Sequence, residues 1–301
     1  MTSTGLQVGT RPVERTRPAA TTKTRRPRRR LRSVLLWLAV VAIVIFCLFP
    51  FYWLINVSLK NGSDLSKADL VPPHPTLSNY KSIFQNSDFT DALRNSVIVT
   101  VVTTTLALTF GSFAAYALAR LRFPRKFLIL AIILSISTFP PIAIAAPIFK
   151  LWTDIGLYNT YPGLIIPYLV FALPLCIYIL TSFFKEIPRE LEEAALVDGA
   201  THFQAFRKII LPLAAPGLVT AGLLTAIFVW NEFLLAITLT SSSAARTVPA
   251  AIAFFTGSSK FEIPLGTISA ASVVITIPLV AAVIFFQKRI VAGLTAGAVK
   301  G

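Results

Sequence analysis

Imidazole and thiol chemistry have little to work with in this chain. The two histidines, His74 and His202, and the two cysteines, Cys47 and Cys176, stand at no ligand spacing from one another, so neither a metal site nor a disulfide framework is expected. Both cysteines lie inside apolar runs, where cysteine behaves as a small hydrophobe. The sequence contains no G-x-x-x-x-G-K-[ST] phosphate loop, no G-x-S-x-G elbow and no H-E-x-x-H pair, and no catalytic residue is expected. Two groupings offer another kind of chemistry. Asn231 and Glu232 set an amide beside a carboxylate in an otherwise apolar run. Together they supply the donors and acceptors that a polyol needs, or equally the polar side of a gate or helix contact. The stretch EEAALVDGATHFQAFRKIILP, Glu192 to Pro212, mixes acids, alanines and a glycine, and its chemistry would be that of a docking surface.

The elements that must position these groups are membrane helices. Hydrophobic residues make up 55% of the chain, charged residues 14%, and the mean hydropathy is +0.72, too apolar for an ordinary soluble domain. A helix crossing the hydrocarbon needs roughly 20 mostly apolar residues. Six windows meet that demand: Val34 to Ile55, Val97 to Leu118, Phe127 to Phe149, Leu164 to Phe184, Leu218 to Leu239 and Thr267 to Phe286. No barrel-like alternation is present, so an all-α polytopic membrane protein with six transmembrane helices is expected. With six crossings both termini share a side. Only Lys60, Lys67, Lys81, Arg94, Lys150, Arg246 and Lys260 fall on the other side, out of 28 Lys and Arg, which places both termini in the cytoplasm. The net charge of +15 is then explained by an arm that suits an anionic inner leaflet rather than nucleic acid. The expected plan is a disordered basic arm over 1–32, a first helix over 33–56 and an external loop over 57–92. A membrane core over 93–286 follows, with a cytoplasmic loop at 185–212 and an external loop at 240–266, then a tail over 287–301.

In the cytoplasmic loop, Pro188 suits a first helical turn. Glu190, Glu192 and Glu193 sit where the helix dipole favours anions, and Gly199 supplies a stop. Leu191, Ala194 and Ala195 share one face at i, i+3 and i+4. Thr201 with Gln204 predicts a capping box for a second helix, whose Phe203, Phe206 and Ile210 form an apolar stripe before Pro212. From pattern alone, this hairpin either docks a partner or packs beneath its own bundle. Prolines 50, 140, 141, 147, 167, 174 and 278 lie within or beside the helices and predict kinks.

The run EAALVDGATHFQAFRKIILP, Glu193 to Pro212, resembles the signature loop of ABC-importer permeases. LSNYKSIF, RNSV, AYALARLRFP, GLYNTYPGLIIPY, SFFKEIPRELEEAA, WNEFLLA and the ending GLTAGAVKG are similar to the second permease of maltose-type sugar importers. FTGSSKFEIPLG and FQKRIVAGLTAGAVKG look most like the mycobacterial trehalose-importer permeases within that family. The resemblance implies a type I ABC importer transmembrane fold whose cytoplasmic coupling hairpin docks into an ATPase subunit through Glu193, Ala194, Ala195, Asp198, Gly199, Ala200, Phe206, Leu211 and Pro212. It implies a second, non-identical permease, two ATPase subunits, an extracytoplasmic sugar-binding protein and a disaccharide such as trehalose or maltose. This chain would bind no cofactor, ATP and magnesium belonging to the ATPase. Asn231 and Glu232 become candidates for sugar contact or a gate. The apolar centre of the external loop, Ile252, Phe254, Phe255 and Gly257, would dock the binding protein, and the tail would contact the ATPase subunits. The competing readings are an ion-coupled secondary transporter, which one intramembrane acid and no evident internal repeat argue against, and an ABC permease for a non-sugar solute.

Overall fold

Apolar backbone removed from water must satisfy its own N–H and C=O groups, and helices are how this chain does so. A computed structural model describes residues 27–255 and 264–296, and every regular element among them is helical. In order these are α1 (Pro27–Ser58), α2 (Ser78–Gln85), α3 (Ser87–Arg120), α4 (Lys126–Thr138) and α5 (Pro141–Asp154). There follow α6 (Tyr161–Glu186), α7 (Arg189–Val197), α8 (His202–Leu213), α9 (Ala215–Trp230), α10 (Leu234–Leu239), α11 (Val248–Ile252) and α12 (Leu265–Ala296). The chain divides into two units at Pro50 and Phe51. In the first, the apolar side chains from Val34 to Phe49 are exposed, as suits a helix facing hydrocarbon.

The second unit is organised around α3 and α6, which pack along each other and are both crossed by α9. Small residues allow the close approach. A Cβ on Gly111 of α3 would lie 2.8 Å from Cys176 Sγ of α6, and one on Gly217 of α9 would lie 2.4 Å from the Phe183 ring. Cys176 is fully buried in that seam with Leu180, Phe184 and Ala221, the packing role its apolar context predicts. A second cluster gathers Trp152, Leu164, Tyr168, Phe171, Val229 and Leu235. A third joins Ile83 and Phe89 to Val248, Ala251, Ala270 and Ala271.

Four of the six expected spans are long uninterrupted helices, α1, α3, α6 and α12. The other two are broken. The window from Phe127 to Phe149 bends by 83° between α4 and α5, where consecutive Pro140 and Pro141 deny the backbone its helical hydrogen bonds. The window from Leu218 to Leu239 stops at Trp230 and resumes at Leu234, and α9 also turns 76° from α8. Sixteen residues of α9 give about 24 Å of helix, short of the roughly 30 Å hydrocarbon.

Boundaries differ from expectation at three places. The arm expected to be disordered through residue 32 is helical from Pro27, because proline at a first helical position followed by Arg and Leu favours a helix. Residues 1–26 lie outside the described residues. The last helix runs to Ala296, ten residues beyond the expected end, since nothing between Gln287 and Ala296 breaks it. Residues 297–301 of the tail lie outside the description. The loop expected over 57–92 holds a 3-10 turn at Gly62–Asp64, all of α2, and the start of α3.

Candidate functional site

The hairpin between α6 and α9 is built by its own backbone. At the end of α7, Ala200 N–H donates to Ala195 O at 2.9 Å and Gly199 N–H to Leu196 O at 3.1 Å, the paired bonds of a Schellman stop. Gly199 takes φ +87°, the conformation a residue with Cβ resists. Thr201 and Gln204 form the expected capping box: Gln204 N–H donates to Thr201 Oγ1 at 3.2 Å, and Thr201 N–H to Gln204 Oε1 at 2.8 Å. Beyond it, Phe206–Ile210 is a π turn.

The hairpin has an inner and an outer side. Outward lie Leu191, Glu193, Ala194, Asp198 and Gly199, with Val197 88% exposed and Ala195 and Ala200 half-buried. Pro212 is also exposed, and Leu211 is half-buried against the core. Phe206, expected on the docking surface, is turned inward. It is buried among Tyr116, Phe184 and Ile210, with its ring centroid 4.8 Å from that of Tyr116. The expected stripe is split: Phe206 and Ile210 stay together in the core at the two ends of the π turn. Phe203 is exposed instead. One face of the hairpin therefore packs beneath its own bundle, and the other is left open.

Glu192 makes the fastening. It is buried, and Oε1 accepts a hydrogen bond from the Tyr116 hydroxyl. Arg120 Nε lies 3.5 Å from Oε2, and Arg120 Nη2 donates to Ile187 O at 2.7 Å. His202 Nδ1 stands 4.0 Å away. By sequence Glu192 is one of three dipole-favoured acids, and Arg120 is one of the 21 Lys and Arg on the side of the termini. The missed signal was AYALAR itself: Tyr116 and Arg120 are four apart on one face of an apolar helix, where a buried guanidinium requires a carboxylate.

Asn231 and Glu232 occupy the break in the fifth span. Glu232 accepts from Leu235 N–H at 2.8 Å through Oε1 and from Ala236 N–H at 3.0 Å through Oε2, so its carboxylate caps α10. Asn231 Nδ2 donates to Ile227 O at 2.8 Å and caps the end of α9. Beside them the buried Tyr168 hydroxyl faces Glu232 and Thr247 without closing a hydrogen bond to either.

At the end of the molecule opposite the hairpin, the loop after α10 is held at its root. The Asn159 side chain, at φ +59°, accepts from Ser241 and Ser242 N–H and donates to Ser242 Oγ. Asn95 donates to Ser243 O and Arg246 O and accepts from the Tyr161 hydroxyl. Ser96 Oγ accepts from Val248 N–H. The apolar centre expected to face a partner is largely turned inward. Ile252 and Phe255 pack on the Ile83 and Phe89 cluster, because apolar side chains bury wherever helix ends offer a floor. Among the described residues named there, Phe254 alone is exposed, its ring centroid 4.1 Å from the Arg246 guanidinium carbon. Gly257 lies outside the described residues.

Residues 107–295 match the family described as binding-protein-dependent transport system inner membrane component. The chain is 51% identical to the trehalose transport system permease protein SugB of Mycobacterium tuberculosis, covering 90% of this chain and 99% of that one. It is 42% identical to the trehalose/maltose transport system permease protein MalG of Thermococcus litoralis, over 90% and 98%. At 40% identity, over 88% and 93%, it is also similar to the sulfoquinovosyl glycerol transport system permease protein of Agrobacterium fabrum. Among solved structures, a bacterial ABC transporter that imports alginate superposes with a TM-score of 0.74 at 23% identity, covering 87% of this chain and 97% of that one.

Proposed function

The chain belongs to the family of binding-protein-dependent transport system inner membrane components, and on that premise we propose that it is one permease of an ATP-driven importer for a disaccharide of the trehalose or maltose kind. It spans the plasma membrane with both termini in the cytoplasm and forms half of the translocation path beside a second, non-identical permease. Two copies of a separate ATPase hydrolyse ATP with magnesium, and a binding protein delivers sugar from outside. The two relatives named for trehalose or for trehalose and maltose, at 51% and 42% identity, support the solute class.

The observation that carries this reading is the two-sided hairpin. A loop fastened to α3 by a buried carboxylate and open on its opposite face is a lever. Force applied to Glu193, Ala194 and Asp198 by a closing ATPase passes through Glu192 into Tyr116 and Arg120, and α3 carries it across the membrane as a rigid body. Alternating access follows when two such levers move together. Glu232 and Asn231 hold the break in the fifth span, and we assign them to the gate rather than to the sugar because both carboxylate oxygens are engaged in capping.

The test is to co-express the chain with the other subunits of its transport system, purify through a tag on this chain, and reconstitute. ATPase subunit should copurify, and its hydrolysis should rise severalfold only when binding protein and trehalose or maltose are added together. Saturable ATP binding by this chain alone, or uptake driven by a proton or sodium gradient without ATP, would sink the proposal. Stimulation by a non-sugar solute in a panel that includes both disaccharides would overturn the solute class while leaving the importer intact.

A further inference from the structure

Three cations and an unsatisfied hydroxyl meet where α4 begins, α6 ends and α7 begins. Lys126, Lys185, Arg189 and Thr181 line one open cavity of about 370 Å³ whose apolar lining includes Phe127 and Leu130. Thr181 is 2% exposed, and its Oγ1 has no hydrogen-bond partner. Among the described residues none of the three cations is paired with a carboxylate. Glu186 and Glu190 stand next to them in the chain, exposed and joined to none of them. Lys126 instead lies 5.2 Å from the Phe123 ring centroid, and Arg122, Lys185 and Arg189 all repel it.

Positive charge is concentrated here at two helix starts, with Glu190 and Glu192 in the first turn of α7 the only acids at either start. Lys126 and Arg189 are the first residues of helices of 13 and 9 residues, the ends at which the macrodipole disfavours positive charge. Free N–H groups at both helix starts, three unpaired cations and a spare hydroxyl form an oxyanion-binding set. The floor says which oxyanion. Phe127 is 85% exposed beside Lys126, at the start of a helix that runs into hydrocarbon, and a soluble phosphate gains nothing from such a surface. Of the partners proposed above only the second permease lies in the bilayer, and a site that it covered would retain no lipid in the assembled importer.

We propose that this cavity binds an anionic phospholipid of the leaflet on the hairpin side, with its phosphate on Lys126, Lys185, Arg189 and Thr181 and its acyl chains along Phe127 and Leu130. The inference rests on the chain's spanning a membrane and is independent of the transported solute. Arg189 opens α7, so the lipid ties the root of the hairpin to the membrane surface.

Native mass spectrometry of the assembled importer, taken from bilayers of equal phosphatidylglycerol and phosphatidylcholine, tests it. Phosphatidylglycerol should be retained over phosphatidylcholine by about tenfold or more, given three basic side chains at the surface. The Lys126→Gln, Lys185→Gln, Arg189→Gln triple variant should lose that preference. Lys126→Arg with Lys185→Arg should keep it, and Thr181→Val should reduce it. Millimolar inorganic phosphate or glycerol phosphate should displace no lipid. Equal retention of the two lipids by the native chain would overturn the proposal, as would displacement by inorganic phosphate, which would mark a site for a soluble anion. Undiminished preference in the triple variant would do the same, and so would loss of the ATPase subunit without loss of lipid. The native-chain comparison and the arginine and valine variants decide the matter even if the triple variant fails to fold.

Discussion

Two adjacent glutamates divide the work of the hairpin. Glu192 is buried against Tyr116 and Arg120, while Glu193 is exposed. Glu192→Ala strands the Arg120 guanidinium in a buried site, a loss of about 3 kcal/mol to the docking of the hairpin on its own bundle. Glu193→Ala leaves that docking intact and weakens the ATPase contact by about 1 to 3 kcal/mol if the charge is hydrogen-bonded there. Hydrogen exchange over residues 189–212, measured together with retained ATPase subunit, separates the two. The first variant should raise exchange, and the second should lower only retention. Equal effects of both would show that the two sides of the hairpin are not distinct. Gly199→Val should cost about 1 to 2 kcal/mol because φ +87° disfavours any Cβ, although the space around it is open; Gly199→Ala should share most of that cost. If the alanine variant matched the native hairpin in exchange and uptake, the backbone argument would be wrong. The Gly199 turn and the Thr201 capping box were legible in the sequence because they are local chemistry. The role of Glu192 was not, since its partners lie 76 residues away for Tyr116.

At the level of elements, the apolar windows announced where spans lie but not which of them break. Consecutive Pro140 and Pro141 did signal a bend. The interruption at Asn231 to Phe233 carries no proline or glycine, and only the capping bonds of Glu232 reveal it. Glu232→Ala should destabilise α10 by about 1 kcal/mol, the usual cost of a lost cap, seen as faster exchange at Leu235 and Ala236. Glu232→Gln keeps an acceptor and should recover much of the protection. A raised KM for sugar with unchanged exchange in the glutamine variant would return Glu232 to the sugar path. The external loop taught the opposite lesson. Its apolar centre was visible in the sequence, yet an apolar run alone does not say whether it meets a partner or its own core. Here Phe89 and Ala270 supply a floor for Ile252 and Phe255. Phe254→Ala should therefore leave folding unchanged, and a stimulation by binding protein equal to that of the native chain would show that Phe254 is no contact.

Across the whole molecule, composition gave the class, because it follows from the solvent rather than from contacts. Which helices pair was not readable: α3 and α6 meet through Gly111 and Cys176, residues without a periodic signature. Nor was the order within residues 57–92. There the Lys67 ammonium, 3.0 Å from Asp64, holds its carboxyl below the ordinary value of 3.8, with His74 assisting. A depressed carboxylate contributes stability that is present above pH 3.8 and lost as pH falls through its folded value. Protease cleavage between residues 60 and 70 should accordingly rise below that pH in the native chain, and Asp64→Asn should show the raised cleavage at neutral pH. A native cleavage rate that stays flat through acid would remove Asp64 from the account. The same segment holds Lys60, fully buried, with Nζ donating to Lys67 O at 2.7 Å and Asp69 O at 3.2 Å and lying 5.3 Å from the Trp53 ring centroid. Carbonyl oxygens gathered around a positive charge are what many secreted loops obtain from dissolved calcium. Here the charge is tethered to the chain, so this segment should stay ordered in a chelator or in a medium stripped of divalent ions.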